Sequence, residues 1–193
     1  MVTEAPAGPQ SPPAHKPRGP RLRFLVVGVV LAVGLGVGLF SSLDTGSQAP
    51  PALGRVAPTF SIPALSGNGT VGLPQTPRSG RPAVLVFFAS WCTPCKVEIP
   101  AIARTYRSQP AASRVEIIGI DGEDPPGNAR AFVAAAPVTF PVGTDPDYRV
   151  TSGLYYFLGD PDAVFVRSDG TIARIVRGPI TSAQLLAGER HLG

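Results

Sequence analysis

Two cysteines, one methionine and one tryptophan are all that occur in 193 residues, and the two histidines, His15 and His191, lie near opposite ends. Each shortage excludes something. A zinc site usually takes four nitrogen or sulfur ligands, and Cys92, Cys95 and two distant histidines do not supply them within one chain. A copper carrier built on both thiolates would gain from a third soft or imidazole ligand, yet the only methionine is Met1. No dinucleotide or flavin fingerprint is present, so no cofactor is implied and any electrons come from a protein partner. Asp121-Gly122-Glu123-Asp124 lacks the ligand pattern of a calcium loop and reads as a polar connection after a strand.

Charge of one sign is also missing from most of the chain. The formal net charge is +4, and residues 1–23 hold Lys16, Arg18, Arg21 and Arg23 against Glu4. From residue 24 onward, 13 basic side chains remain of the 17 and 12 acidic ones of the 13. The surplus therefore reports a basic tail, and no nucleic-acid partner is implied.

What is abundant is proline (23) and glycine (22), the proline concentrated before Pro63. Residues 1–23 show no apolar periodicity and are expected to form a disordered cytoplasmic tail, with Pro17-Arg18-Gly19-Pro20 fitting a PxxP pattern. Phe24 to Phe40 is free of charge, and the run extends through Ser41-Ser42 to Leu43. Twenty residues cover roughly 30 Å as a helix, about one bilayer core. Arginines precede the run and Asp44 comes after it, which predicts a single-pass anchor in the cell membrane with the remainder extracytoplasmic. The competing reading is a cleaved signal peptide with Ser47-Gln48-Ala49 at the cut. The length of the run and the proline at position 50 count against it. Either reading exports the rest of the chain. Gly34 and Gly38 form a GxxxG that can bring two such helices together. Residues 44–53 read as a tether, and the folded domain is expected over 54–193.

The stretch that carries chemistry is Trp91-Cys92-Thr93-Pro94-Cys95. It comes directly after an apolar run, Val84 to Phe88, that reads as a buried strand. Pro94 suits a first helical turn, where its missing N–H costs nothing. Cys92 then lies at a helix N-terminus, whose partial positive charge favours the thiolate. A structural disulfide closing so short a loop would restrict the unfolded chain little. The strand, C-x-x-C turn and helix instead match the working end of a thioredoxin-like redox unit.

Around that unit the pattern predicts a hairpin, with Phe60 and Ile62 on one face and a weak strand at 70–73. A helix is expected from about Thr93 to Gln109, with Pro100 inside it, and a buried strand at 115–121. A second helix covers 127–136, and a short strand or an extended edge is expected at 140–142. Residues 148–158 read as one helical turn and a loop, with Tyr155, Tyr156 and Phe157 either core or client surface. Ala163–Val166 and Thr171–Val176 flank an Asp169-Gly170 turn, and Thr181 caps a helix over 182–191. The β-α-β steps imply parallel pairing, and the closing hairpin adds antiparallel strands.

With these elements in place the sequence resembles the membrane-anchored TlpA/ResA/CcmG-like thiol-disulfide oxidoreductases. Ala57-Pro58-Thr59-Phe60 is similar to that family's opening A-P-x-F. Phe87 to Cys95 is similar to its F-W-A-S-W-C-x-P-C, with Phe88 in place of the first tryptophan. Glu98 and Pro100 match the E-x-P after that motif, and Gly159-Asp160-Pro161 the G-x-P before its D-G hairpin. The resemblance implies a thioredoxin-like three-layer α/β sandwich, with a mixed central sheet and an N-terminal hairpin extension. It implies reduction of disulfides in exported proteins, among them apocytochromes c, with a membrane thiol carrier as electron donor. It also implies a cis bond at Pro161, facing the cysteines and presenting backbone to an extended substrate. Spacing alone leaves an ordinary trans loop proline open.

Cys92 is the expected nucleophile and Cys95 the resolving thiol. Glu98, on the helix face of Cys95, is placed to take the Cys95 proton, a solvated surface glutamate being the alternative. Trp91 is expected to pack on the turn and shape the docking surface. Asp160 departs from the family pattern, and a carboxylate near Cys92 raises its pKa and makes the couple more reducing. The same site run in reverse would oxidise secreted thiols. The copper carrier is the alternative from another class, and a C-x-x-C pair at a helix start favours dithiol exchange over a thiol peroxidase.

Overall fold

The computed structural model describes residues 50–74, 81–122 and 124–192. The predicted tail at 1–23, the apolar run at 24–43 and residues 44–49 of the tether lie outside the described residues. Among the described residues no helix is long and apolar enough to cross a membrane.

The described residues form seven strands, three α-helices and one π-helical turn. β1 (Phe60–Pro63) and β2 (Thr70–Leu73) form an antiparallel hairpin with Phe60 opposite Leu73. β3 (Ala83–Phe88) leads to α1 (Cys95–Ser108), β4 (Glu116–Gly122), α2 (Pro126–Ala135) and β5 (Val142–Asp145). The π-helical turn Arg149–Leu154 precedes β6 (Asp162–Val166), β7 (Ile172–Arg177) and α3 (Ser182–Glu189). The main sheet has the order β5-β4-β3-β6-β7. β3 pairs parallel with β4 and antiparallel with β6, so it is central and buried at all six positions. A continuous apolar run is what such a strand requires.

Alternate residues of β3 feed two cores. Val84, Val86 and Phe88 face a cluster that takes Ile99 and Ile102 from α1, Ala129 from α2 and Leu185 from α3. Leu85 and Phe87 face a second cluster with Phe60 and Ile62 of the hairpin, Val150, Tyr155 and Phe157. Each fully buried side chain of this size contributes about 1.5–3 kcal/mol of transfer free energy. Helices therefore cover one face of the sheet, and the hairpin and π-helical turn cover the other. α3 lies so close to β6 that a Cβ at Gly188 would come within 2.3 Å of the Phe165 ring.

Three segments differ from expectation. β5 begins at Val142, because Phe140 turns its ring to Tyr106 in the helical-face core and Pro141 has no N–H for a ladder. The segment at 149–154 closes as a π-helical turn, and the Asp145 carboxylate accepts the Val150 and Thr151 N–H groups at 3.0 and 2.8 Å. Tyr155-Tyr156-Phe157 divides: Tyr155 and Phe157 are core, Tyr155 donating to Pro58 O at 2.8 Å, while Tyr156 is exposed with φ +56. The Asp-Gly hairpin forms with Gly170 at φ +84, and Thr181 and Gln184 close a capping box at α3.

Candidate active site

β3 ends at Phe88, and the chain turns through Ser90 and Trp91 into Cys92. The Cys92 N–H donates to Ala89 O at 3.2 Å, and the Cys95 N–H points at Cys92 Sγ at 3.2 Å. α1 winds up at once: the Lys96 N–H donates to Thr93 O and the Glu98 N–H to Pro94 O. Pro94 has helical backbone, φ −61° and ψ −35°, at the helix start. Cys92 and Cys95 are joined by a disulfide, Sγ–Sγ 2.00 Å. Once that bond is reduced, the Cys95 N–H and the start of α1 face the Cys92 sulfur and favour its thiolate. Both cysteines are buried, but Cys92 keeps 3% of its surface and Cys95 none. Cys92 is thus the more accessible of the two, by a small margin. Trp91, beside it, is 53% exposed.

Glu98 is not a solvated helix residue. It is 4% exposed, its Oε1 accepts the Ile180 N–H at 3.2 Å, and its Oε2 is buried without a partner. Burial pushes its carboxyl up from 4.5 to about 7; the Ile180 N–H opposes the rise and the charge of Asp162 adds to it. Glu98 and Cys95 are both among the buried residues of α1, one turn apart. A carboxyl poised near neutrality one turn from a buried thiol is suited to accepting that thiol's proton.

Pro161 is joined to Asp160 by a cis peptide bond. Register explains its place: Phe87 pairs with Asp162 across β3 and β6, so the Pro161 loop and the C-x-x-C turn share one end of the sheet. Leu158, just before this loop, is 96% exposed, and together with Trp91, Val97 and Tyr156 it makes an exposed apolar set flanking the two segments.

Asp121, inside β4, and Asp124, just beyond it, are not solvated loop residues. Asp121, opposite Phe88 in the parallel ladder, is fully buried, and Asp124 is nearly so. Asp124 accepts the Ser90 hydroxyl at 2.7 Å through Oδ1 and the Ser90 N–H through Oδ2. No donor faces either oxygen of Asp121. Burial, Asp124 and the charge of Asp160 push its carboxyl up from 3.8 to about 9, so it is protonated at neutral pH and can share that proton with Asp124. Sequence reasoning missed Ser90, Asp124, Asp162 and Arg177. The signal for Asp121 was its place at the end of an unbroken apolar strand, where a side chain continues into the core.

A family model described as AhpC/TSA matches residues 53–175, well over half the chain. The chain belongs to the AhpC/TSA family. The thiol:disulfide interchange protein HelX of Rhodobacter capsulatus, for example, is 30% identical, the match covering 83% of this chain and 88% of HelX. The sporulation thiol-disulfide oxidoreductase A of Bacillus subtilis is 25% identical over 84% of this chain and 94% of that protein. A secreted Mycobacterium tuberculosis disulfide oxidoreductase, described as homologous to E. coli DsbE, superposes with a TM-score of 0.58 at 27% identity. That match covers 69% of this chain and 96% of the other. Within the AhpC/TSA family this chain is a TlpA/ResA/CcmG-like thiol-disulfide oxidoreductase of thioredoxin-like α/β fold with a mixed sheet.

Proposed function

We propose that the oxidoreductase runs as a reductase, outside the cytoplasm, on disulfides of exported proteins. The Cys92 thiolate attacks one sulfur of a client disulfide, forming a mixed disulfide and releasing one client thiol. Cys95 gives its proton to Glu98 and attacks Cys92 Sγ, restoring the Cys92–Cys95 disulfide and releasing the second client thiol. Two electrons pass from the dithiol to the client, and a dithiol on a membrane carrier returns them. The observation that carries this reading is the buried Glu98 carboxyl, one helical turn from the buried resolving thiol.

The uncharged run at 24–43 with arginines on its N-terminal side supports a membrane anchor with the domain outside. The resemblance to cytochrome c maturation reductases supports the CxxCH motif of apocytochromes c as client. Trp91 and Leu158 would line its path, and Asp160-Pro161 would offer backbone to it.

Trapping tests the reading. A Cys95→Ser variant should accumulate a mixed disulfide through Cys92 with an oxidised CxxCH peptide, and a Cys92→Ser variant should not. Equal trapping by both variants, or by neither, contradicts the assigned roles.

A further inference from the structure

Arg177, the last residue of β7, lies at the end of the sheet that carries the cysteines. It is opposite Asp162 in the β6–β7 ladder, and Asp162 is opposite Phe87 near the end of β3. The next residue, Gly178, donates its N–H to Pro161 O at 2.8 Å, which ties the end of β7 to the proline loop. The Arg177 guanidinium lies over the buried Phe157 ring, 4.7 Å from its centre. Its Nη1 reaches Tyr156 O at 3.5 Å and approaches Asp162 Oδ2 at 3.7 Å, the latter beyond hydrogen-bond length. Both contacts run through Nη1, and the side chain is 57% exposed.

The backbone beside it sets alternate residues apart. Tyr155 and Phe157 are core, whereas Tyr156 is exposed and Leu158 is 96% exposed. Tyr156 has φ +56, a left-handed conformation unfavourable to a bulky side chain. It is fixed from both sides: the Tyr155 N–H donates to Val150 O and the Phe157 N–H to Thr151 O, each at 2.9 Å. The Ser152 hydroxyl donates to Phe157 O at 3.1 Å. A strained residue held in place by its surroundings points to a use for the surface it shapes.

An isolated exposed leucine is ordinary. Here the leucine stands two residues from a backbone oxygen that the guanidinium touches. As an ion pair Arg177 adds little to stability, since Asp162 is 3.7 Å away and Arg177 itself reaches water. A guanidinium already laid on an aromatic face loses little freedom on meeting a carboxylate, and its remaining N–H groups can form the planar fork that a carboxylate accepts.

We propose that Arg177 and Leu158 form a specificity subsite that takes a client segment carrying an acidic side chain next to a bulky apolar one. This rests on the reductase reading above and names the class of exported protein it favours, one with an acid near its disulfide. Leu158 is three residues before Pro161, at most about 10 Å of extended chain. A client extended along Pro161 therefore reaches the subsite about three residues from its reacting cysteine. Asp160 lies between, and its charge repels a client acid closer to Cys92, so the acid is accepted at Arg177 and not beside the nucleophile.

The test is kcat/KM of the reduced full chain with oxidised CxxCH peptides carrying Leu-Glu, Leu-Gln or Leu-Lys about three residues from either cysteine. Each preference is a ratio taken within one protein, so a change in the folded or active fraction cancels. The parent should favour Leu-Glu over Leu-Gln about fivefold through KM, and the ratio should shrink as salt is added. Arg177→Gln should bring it to about one, Arg177→Lys should keep most of it, and Arg177→Glu should favour Leu-Lys instead. Leu158→Ser should remove the advantage of Leu over Ser in the peptide and leave the preference for Glu. Equal kcat/KM for Leu-Glu and Leu-Lys in the parent, or a preference for Glu that persists in Arg177→Gln, overturns the proposal. A parent that reduces none of the peptides contradicts the reductase reading itself, and the subsite with it.

Discussion

Asp124 grips Ser90 twice, accepting its backbone N–H with one carboxylate oxygen and its hydroxyl with the other, across 34 residues of sequence. Ser90 is joined directly to Trp91 and Cys92, so this contact ties the turn carrying the nucleophile to the end of β4. Replacing Asp124 by Ala strands a backbone donor and frees the turn. A loss of about 1–3 kcal/mol in denaturant unfolding is expected, with slower client reduction. Unchanged stability and rate would show that the turn needs no such anchor.

Beneath that contact, Asp121 and Glu98 give the protein a pH dependence of definite sign. Both bind a proton more tightly folded than unfolded, with carboxyls raised to about 9 and about 7. Between the unfolded values, near 3.8 and 4.5, and these folded ones, the native state holds more protons. Their contribution to stability is therefore complete below about pH 4 and falls as pH rises to about 9. Asp121→Asn keeps a donor for Asp124 without an ionisable proton. Its melting temperature should decline less between pH 5 and 9 than that of the parent, as followed by circular dichroism. An identical decline in both proteins would place the proton elsewhere.

Glu98 must be ionised to accept the Cys95 proton. The rate of mixed-disulfide resolution should therefore rise with pH through about 7. Glu98→Gln should flatten that limb and slow the step by about a hundredfold, read in single turnovers with a disulfide-bonded peptide. A variant that keeps the parent's pH profile would remove Glu98 from the proton path.

How far the sequence already contained this site differs from element to element. The strand, C-x-x-C turn and α1 could be read because a six-residue apolar run and Pro94 are local signals, each sufficient for its own element. The Asp169-Gly170 turn and the Thr181–Gln184 cap are local in the same sense. The helical turn within 148–158 was legible, but its π-helical form was not, because the Asp145 side chain holds its first N–H groups and its entry is Tyr148 at φ +53. The buried acids could be read only in part: Glu98 shares the helix face of Cys95 and Asp121 ends an apolar strand, but their partners could not be read. Asp121 gains its neighbours only when β4 lies beside β3, and Glu98 gains the Ile180 N–H from a link 82 residues further on. Segments distant in sequence create those environments, and no window of residues contains them.

Asp160 gives a test at the nucleophile. Its charge acts on Asp121, and its place before Pro161 sets it at the cysteine end of the sheet. Asp160→Asn should lower the Cys92 pKa, measured by thiolate ultraviolet absorbance in the reduced chain, because a negative charge disfavours a thiolate. A titration that does not move would remove Asp160 from the tuning of the couple.

Direction of electron flow is what most directly tests the reductase reading, and the Cys92–Cys95 reduction potential decides it. The chain is equilibrated against dithiothreitol or glutathione, and Trp91, its only tryptophan and the neighbour of Cys92, reports the redox state by fluorescence. A potential near or below that of thioredoxin, about −270 mV, is the expected result. A potential near that of the strong oxidants, about −120 mV, would contradict it and make the chain an oxidant of secreted thiols.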